Sequence, residues 1–339
     1  MKKGFLNSCA FLMSLMMIVA CGNDDDDFNN DFDGLATIVL TSDDKTENGY
    51  FDGSLYYTII ENASKEVAVT KVDEDAVNVD IPAYVKIEGS TYKCTTIGIV
   101  AFGRNKKLIS VSIPNTITSI EESAFGDCDN LKKVIVKDLH AWLNIKFGNY
   151  RSNPLTCARH LYSDETTEVK DLVIPEDISI IGDYAFAGCL SLVSLTIPDN
   201  VTSIGNAAFE DCSELVTVHI GNGVTSIGSQ AFNNSYSLQN LTIGENVEII
   251  GEYAFYYNTS LLYVRIPSSV SHIGSYAFGY CPNRKSYRIG SVIPPTIDGE
   301  EPFYSTEDAT LYVPEASIDL YKNEKNWKYF NRIVGVLFP

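Results

Sequence analysis

The chain has 339 residues, and its 44 acidic side chains outnumber its 25 lysines and arginines, which gives a formal net charge of −19. A surface this acidic repels phosphate backbones, which argues against nucleic acid as a partner. Eight cysteines are too few for a disulfide scaffold at this length.

The first twenty residues predict a secretory signal. Lys2 and Lys3 precede an apolar run, residues 11–20, that is too short to span a bilayer as a single helix. The run ends Ile18-Val19-Ala20-Cys21, which resembles the lipobox of bacterial lipoproteins. The resemblance implies a lipoprotein signal peptide over residues 1–20 and a membrane anchor through a lipid on Cys21. An ordinary signal peptide with an incidental cysteine is the alternative.

Residues 21–34 predict an acidic, flexible tether, because four consecutive aspartates at 24–27 come soon after the cysteine. An acidic run behind a lipidated cysteine resembles the surface-export signal of Bacteroidetes lipoproteins. It implies a protein that is lipid-anchored in the outer membrane and exposed on the cell surface. A solvated linker facing the periplasm is the alternative. A calcium loop is not expected, since the EF-hand spacing fails at Leu40.

Residues 35–94 predict a β-rich N-terminal cap. Alternating apolar patterns are separated by turn signals at Asn48-Gly49, Asp52-Gly53 and Glu88-Gly89. We expect these strands to cover the open edge of the first repeat, because an exposed edge would promote aggregation. Ile81-Pro82 resembles the end of a degenerate first repeat.

Residues 95–290 contain a repeat whose period is 23 residues. It is marked by seven phenylalanines, Phe102, Phe125, Phe186, Phe209, Phe232, Phe255 and Phe278. A fixed period of this length is typical of units that bury their apolar faces only by stacking. We therefore expect a repeat solenoid, mainly β with short helical or 3-10 turns, in which the phenylalanines form a continuous core.

Each unit predicts two strands and a turn. The Leu192-x-x-Leu195-x-Ile197-Pro198 segment predicts the main strand, which ends at the proline. Val201-x-x-Ile204-Gly205 predicts a second short strand, and the glycine is expected to supply a turn conformation that is costly for other residues. Ala208-Phe209 is expected to open a short helical turn.

Two regions depart from this period. Phe125 and Phe186 are 61 residues apart, which predicts an enlarged unit at about 137–171. Residues 291–339 predict a C-terminal cap with a last strand at 309–314. Its amphipathic helix is expected over 317–330, with Leu320, Tyr321 and Trp327 on the apolar side.

One slot of the repeat is occupied by small residues. Cysteine fills it in four units (Cys128, Cys189, Cys212, Cys281), and Asn105, Ser235 and Asn258 fill it in others. Because asparagine and serine replace cysteine there, we favour an inward side chain that hydrogen-bonds the turn. A disulfide between Cys189 and Cys212 remains an alternative, since neighbouring rungs lie about 4.8 Å apart.

The repeat resembles the BspA-like, Treponema-type leucine-rich repeats of bacterial surface proteins. The motif Leu-x-x-Leu-x-Ile-Pro-x-x-Val-x-x-Ile-Gly-x-x-Ala-Phe-x-x-Cys is complete from Leu192 to Cys212. The resemblance implies a leucine-rich repeat fold and a surface adhesin or matrix binder. It supplies no catalytic residue, and the motif is specific for architecture rather than for function.

The sequence carries no signal for catalysis. Its four histidines, His140, His160, His219 and His272, lack a second metal ligand at helical spacing. A nucleophile motif and a phosphate-binding glycine loop are also absent. We therefore expect a protein that is not an enzyme and that needs neither a metal nor a cofactor.

Two candidate ligand-binding surfaces are expected from the repeat. The outward residues of the main strands should form one polar, open sheet face, which carries His219, Tyr263, Arg265 and Arg288. Arg265 and Arg288 should stand on neighbouring rungs, where they could grip an anion beside Tyr263. The alternatives are a merely solvated sheet and arginines neutralised by acidic residues of the same body.

The second candidate surface lies near the turns. Five tyrosines fall there in adjacent units, Tyr253, Tyr256, Tyr257, Tyr276 and Tyr280. Exposed tyrosine favours interfaces and stacking on sugars, although some of these rings could instead be packing. We expect a surface protein that binds a host or matrix protein. Glycan capture for nutrient uptake and a periplasmic structural scaffold are the alternatives.

Overall fold

The computed structural model describes residues 38–299, 301–304, 308–327 and 330–337. The signal at 1–20, the lipidation site Cys21 and the tether at 21–34 lie outside the described residues and stay predictions. Within the described ranges, no helix is long and apolar enough to cross a bilayer.

The N-terminal segment is built mainly from one β-sheet. Its strands are β1 (Ile38–Leu40), β2 (Lys45–Thr46), β3 (Gly49–Phe51), β4 (Leu55–Glu61), β5 (Glu66–Val72), β6 (Asn78–Asp80), β7 (Tyr84–Ile87) and β8 (Ser90–Ile97). The sheet order is β1-β7-β8-β5-β4-β3-β2, and β6 stands apart from it. A 3-10 turn at Ser42–Asp44 lies between β1 and β2.

The main strands of the repeats form one face of the solenoid. They are β9 (Ser110–Ile113), β11 (Lys133–Val136), β13 (Leu161–Tyr162), β14 (Asp171–Val173), β16 (Ser194–Ile197), β18 (Thr217–Ile220), β20 (Asn240–Thr242), β22 (Tyr263–Ile266), β24 (Ser286–Ile289), β26 (Thr310–Pro314) and β27 (Arg332–Val336). They pair in parallel as three ladders, β6-β9-β11-β13, β14-β16-β18-β20 and β22-β24-β26-β27. The pairing of β6 with β9 confirms the degenerate first unit.

Short strands form a second face. They are β10 (Ser119–Ile120), β12 (Lys146–Phe147), β15 (Ile180–Ile181), β17 (Ser203–Ile204), β19 (Ser226–Ile227), β21 (Ile249–Ile250), β23 (His272–Gly274) and β25 (Thr296–Asp298). The last six form an unbroken parallel ladder. At the other end β10 pairs with β8, so the cap covers the edge of the first full repeat.

The Ala-Phe segments form the third face. They are short hydrogen-bonded turns, in line with the predicted helical turn, and none extends into a full helix. Each turn bonds sideways to the next unit, for example from Phe209 N to Ala231 O at 2.8 Å and from Ala207 N to Ser229 O at 2.8 Å. The turn hydrogen bond from Glu210 N to Ala207 O lies within the unit. The phenylalanine turns therefore add a third ladder.

The repeat glycine has a different role from the one predicted. The φ angles of Gly205, Gly228 and Gly251 are not in the left-handed region. A Cβ on Gly228 would instead lie 2.6 Å from the carbonyl carbon of Gly205 in the preceding rung. Close approach of successive backbones, and not an unusual turn conformation, is the reason for glycine here.

The phenylalanine column forms the core, which confirms the prediction. All seven rings are fully buried. From Phe186 to Phe278 the ring centroids stand 5.2–5.3 Å apart with nearly parallel planes. Phe303 of the C-terminal cap continues the stack at 5.8 Å from Phe278.

The cysteine slot hydrogen-bonds the turn of the preceding unit. Cys212 Sγ donates to Phe186 O at 3.3 Å, and Cys128 Sγ donates to Phe102 O at 3.0 Å. Asn258 Nδ2 makes the equivalent bond to Phe232 O at 3.0 Å. Cys189 and Cys212 are not bonded to each other, so the disulfide alternative is wrong.

The enlarged unit and the C-terminal cap contain the three helices of the described ranges, α1 (Leu139–Leu143), α2 (Leu155–Ala158) and α3 (Ile318–Asn323), with 3-10 turns at Tyr150–Ser152 and Glu315–Ser317. In the enlarged unit the buried Trp142 donates from Nε1 to Ala185 O at 3.0 Å. The cap helix is shorter than the predicted 317–330, and Trp327 lies beyond it. Leu320 is 50% exposed, so its assignment to the apolar side was wrong, whereas Tyr321 and Trp327 are buried.

Candidate functional site

The turns hold tyrosines in a strained backbone conformation. Tyr253, Tyr257, Tyr276 and Tyr280 have φ angles between 52° and 58°. A left-handed conformation costs a residue with a Cβ about 1–2 kcal/mol, and asparagine and aspartate tolerate it best. Ladder bonds keep the tyrosines there, including Tyr253 N to Ser275 O at 2.9 Å.

The five tyrosines predicted near the turns do come together. Tyr253 stacks on Tyr276 at a centroid distance of 5.3 Å, and Tyr257 stacks on Tyr280 at 4.8 Å. Tyr256 lies between the two stacks and meets Tyr253 and Tyr257 edge-on, at 5.1 and 4.8 Å. The rings therefore form one contiguous aromatic surface.

Two further tyrosines extend this surface and were missed. Tyr236 meets Tyr257 at 6.3 Å, and Tyr304 meets Tyr280 at 5.3 Å. Tyr304 comes 24 residues after Tyr280, so the repeat period could have found it. No other unit has tyrosine at the slot of Tyr236, so the repeat pattern gave no indication that this residue joins the surface. We call these seven residues, 236, 253, 256, 257, 276, 280 and 304, the tyrosine cluster.

A glycine makes room for the central ring. Tyr256 lies over Gly279, where an added Cβ would stand 3.1 Å from two carbons of the Tyr256 ring. Tyr256 and Gly279 occupy the same slot in successive units. In the two units before them this slot holds Glu210 and Asn233, and Asn233 Nδ2 donates to Glu210 Oε1 at 2.9 Å. At this slot, tyrosine and glycine therefore replace a pair of hydrogen-bonded polar side chains by an aromatic surface.

The tyrosine cluster is partly exposed and uncharged. Tyr236, Tyr280 and Tyr304 are 44%, 40% and 41% exposed. Burial raises the pKa values of Tyr236 and Tyr256. The Asp211 carboxylate adds to the effect at Tyr236, and neighbouring tyrosines add to it at both residues. These phenols stay neutral at physiological pH.

An acidic margin borders the cluster. Asn234 Nδ2 donates to Asp211 Oδ1 at 2.8 Å, and Tyr150 donates to Asp211 Oδ2 at 2.5 Å. Burial raises the pKa of Glu210 beside them. Glu252 is exposed next to Tyr253.

The strand face is only partly the open polar surface that was predicted. Ser112 and Ile135 are buried at its N-terminal end, where Lys133 Nζ covers the Tyr162 ring at 4.5 Å from the ring centroid. From Thr217 onward the outward residues include His219 and Tyr263, which are exposed. Among the described residues, neither side chain makes a hydrogen bond, and no ring contact joins Tyr263 to the tyrosine cluster.

The two arginines stand on neighbouring rungs, as the spacing predicted, because Arg265 and Arg288 are paired in register. Both already have partners. Arg265 forms a two-point ion pair with Glu245, with the longer contact at 3.2 Å. Arg288 donates to Leu337 O of the C-terminal cap at 3.2 Å. The structure therefore favours the alternative that the body itself satisfies these arginines.

Three buried thiols, those of Cys94, Cys128 and Cys189, are unsuited to nucleophilic chemistry. Burial raises the pKa of Cys94 and Cys128 to about 12 and that of Cys189 to about 11. A thiol must lose its proton to act as a nucleophile or a metal ligand. In the described part of the chain, no three histidine, cysteine, aspartate or glutamate side chains converge as metal ligands would.

Comparison with known proteins agrees with this architecture. The family model described as "BspA type Leucine rich repeat region" matches six copies, over residues 56–149 and 159–285. These matches cover more than half of the chain. No curated protein matches the chain significantly.

Solved structures that match the chain include bacterial leucine-rich repeat proteins. A leucine-rich cell surface protein from Faecalibacterium prausnitzii is 21% identical, with 85% of this chain and 94% of that chain covered and a TM-score of 0.36. The Treponema pallidum leucine-rich repeat protein is 19% identical, with 78% and 81% covered and a TM-score of 0.37. A Bacteroides ovatus leucine-rich repeat protein is 17% identical, with 85% and 100% covered and a TM-score of 0.30.

Proposed function

The chain belongs to the BspA-type leucine-rich repeat family, and we propose that it is a lipid-anchored cell-surface protein that binds a host or matrix protein through the tyrosine cluster. In this proposal it acts by binding and catalyses no reaction. One observation carries the proposal. Tyrosines replace polar residues at equivalent positions of successive units, while the backbone conformation at these positions stays the same.

Asp211, Asn234, Tyr257 and Tyr280 occupy one slot in four successive units, with φ angles of 58°, 61°, 58° and 53°. Aspartate and asparagine suit this conformation, whereas tyrosine gains nothing from it. Folding alone therefore favours the polar residues. Tyrosines that fill the slot at a conformational cost, and that remain partly exposed, support selection for an interaction surface.

Tyrosine suits such a surface for physical reasons. Its ring offers a large contact area with only two side-chain torsions to immobilise, and its hydroxyl can still hydrogen-bond. Mutual stacking at 4.8–5.3 Å already restricts Tyr257 and Tyr253, so less entropy is lost when a partner binds. Among the described residues, the hydroxyls of Tyr256, Tyr257 and Tyr280 have no hydrogen-bond partner and remain available.

The charge of the body indicates what kind of partner fits. The chain carries a net charge of −19, and Glu252 and Asp211 flank the tyrosine cluster. A partner with a basic rim around an apolar centre would be attracted over a distance of about one Debye length, roughly 8 Å at physiological salt. We therefore propose a protein partner with a basic binding face.

The test uses substitutions that the repeat itself supplies. Tyr257→Asn and Tyr280→Asn introduce the residue found at the equivalent Asn234, so the backbone conformation is preserved. Binding of the purified protein to immobilised collagen, laminin and fibronectin is measured against the double variant. We expect at least about a tenfold loss of affinity, because interface tyrosines are frequent hot spots.

Thr217→Ala and Thr242→Ala on the strand face provide the matched control, with wild-type affinity expected. Failure of the wild type to bind any of these matrix proteins, or equal binding by the double variant, would reject the proposal. The anchor is tested separately. Cys21→Ala should release the protein from the membrane fraction, because the lipid chains provide the membrane affinity.

A further inference from the structure

The strand face opens between two rungs near its C-terminal end. Within the described ranges, no ladder joins β20 to β22, although β18 pairs with β20 and β22 pairs with β24. In the neighbouring units the residue directly before the main strand donates its N–H to a carbonyl of the preceding rung. This bond is present from Gln239 N to Val216 O (3.0 Å) and from Lys285 N to Leu262 O (2.8 Å). The equivalent bond from Leu262 N to Gln239 O is absent.

The opening is confined to this face. The second face stays paired at the same rungs, with Ile249 opposite His272, and the phenylalanine stack is unbroken at 5.3 Å between Phe232 and Phe255. Leu241 in β20 is half-buried, whereas the equivalent Val218 is fully buried. The two rungs are therefore separated on the strand face, and a cleft of about 420 Å³ lies there.

The lining of this cleft combines polar and apolar surface and carries no charge. Its residues are Gln239, Asn240, Thr259, Ser260, Leu262, Tyr263 and Asn283. Among the described residues, the side chains of Gln239, Ser260 and Tyr263 make no hydrogen bonds. Tyr263 is 61% exposed, so its ring offers a flat apolar surface at the cleft.

We infer that this cleft is a binding site for a neutral saccharide unit. A sugar ring has vicinal hydroxyls that both donate and accept, and one face made of C–H groups. Amides and hydroxyls satisfy the first feature, and a tyrosine ring packs on the second. The volume is within the range of about 300–1,000 Å³ that is typical of small-molecule sites. A charged ligand finds no counter-charge in the lining.

The edges of the cleft add two main-chain groups. The N–H of Leu262 and the carbonyl of Gln239 face the gap without the ladder bond that their equivalents make. Backbone groups of this kind commonly complete the polar contacts of a small-molecule site. The site shares no residue with the tyrosine cluster. Its lining residue Thr259 adjoins the cluster, because its N–H and hydroxyl donate to the main-chain carbonyls of Tyr257 and Tyr236, at 3.0 and 3.4 Å, which no tyrosine substitution removes.

The experiment is a titration of the purified protein with an array of neutral and acidic di- and trisaccharides at concentrations up to the order of 1 mM, a range suited to weak single-site binding. We expect binding of neutral saccharides, with at least about a tenfold loss in Tyr263→Ala and in Gln239→Ala. Tyr312→Ala is the matched control and should bind as wild type, because this residue lies two rungs away and outside the cleft. A second arm compares a neutral glycoprotein before and after enzymatic removal of its glycans, which separates a protein-borne sugar from a free oligosaccharide.

Thermal unfolding of each variant checks that the fold is intact. Several results would overturn the inference. These are no saccharide binding, binding of acidic saccharides only, and neutral-saccharide binding that survives both Tyr263→Ala and Gln239→Ala. Binding of an extended peptide at the same edges without saccharide binding would also overturn it. Loss of matrix-protein binding in the Tyr257→Asn/Tyr280→Asn variant leaves these outcomes unaffected, so the two proposals fail separately.

Discussion

Phe209 provides the strongest test of the stacked core. Its side chain is fully buried, and its ring stands 5.3 Å from Phe186 and 5.2 Å from Phe232 with nearly parallel planes. Phe209→Ala removes both stacking contacts and leaves a cavity. Truncation of a buried phenylalanine costs about 3–5 kcal/mol, and the spread reflects how well the surroundings collapse.

Collapse is restricted at this position. Ladders hold the rungs on all three faces, and the bonds Phe186 N to Ala208 O and Phe209 N to Ala231 O stand at the ring itself. Neighbouring rings therefore cannot approach without stretching these bonds. We expect a loss in the upper part of the range, about 4–5 kcal/mol in the free energy of unfolding.

The assay is urea unfolding monitored by circular dichroism and by fluorescence of Trp142 and Trp327, which are both buried and report on different ends of the stack. Tyr263→Ala is the control, and as an exposed truncation it should change stability by no more than about 0.5 kcal/mol. A loss below about 1 kcal/mol for Phe209→Ala, at an unchanged denaturant slope, would refute the reasoning.

Four single sites carry further predictions. Gly228→Ala should destabilise the fold by about 1–3 kcal/mol through overpacking, whereas Gly182→Ala should be tolerated, because the nearest atom to its added Cβ lies 3.9 Å away. Arg284→Leu should raise the free energy of unfolding by up to about 1 kcal/mol, since this arginine is 4% exposed and its guanidinium nitrogens have no hydrogen-bond partner among the described residues, although its contact with the Tyr287 ring at 5.0 Å offsets part of the gain. Cys189 should resist thiol reagents at pH 8. Because its pKa is raised to about 11, the native state holds a proton that the unfolded state loses, so the urea midpoint should fall as pH rises from about 9 to 11, and less so in Cys189→Ala.

The repeat could be predicted from sequence because its core slots are chemically uniform. Phe, Leu and Ile recur every 23 residues, and each occupies the same buried place in successive rungs. The cysteine slot could be predicted for the same reason, since Asn258 and Cys212 share one hydrogen-bonding role. Arg284 is the exception, because it occupies the slot that Leu261 fills in the preceding unit. The repeat pattern alone identifies it as a charged residue at a core position.

The glycine slot and the cleft could not be predicted, because both depend on distances between rungs. A glycine at position 228 is compatible both with a positive φ and with a close approach of two backbones, and the sequence does not show which of the two applies. Residues 238–242 and 261–265 both fit the strand motif, yet their strands do not pair. Pairing is a property of two units together, so a pattern read along one unit cannot reveal its loss.

The surface slots are therefore where the units of this protein differ most in function-bearing residues from one another. Core residues are set by stacking, so they repeat whatever the solenoid binds. Outward residues are free to vary, and they change from Asp211 and Asn234 to Tyr257 and Tyr280 while the backbone stays the same. The strand face opens between β20 and β22, the rungs at which this change occurs. Two independent departures from the repeat thus fall on the same stretch of the chain, and we expect binding to be concentrated there.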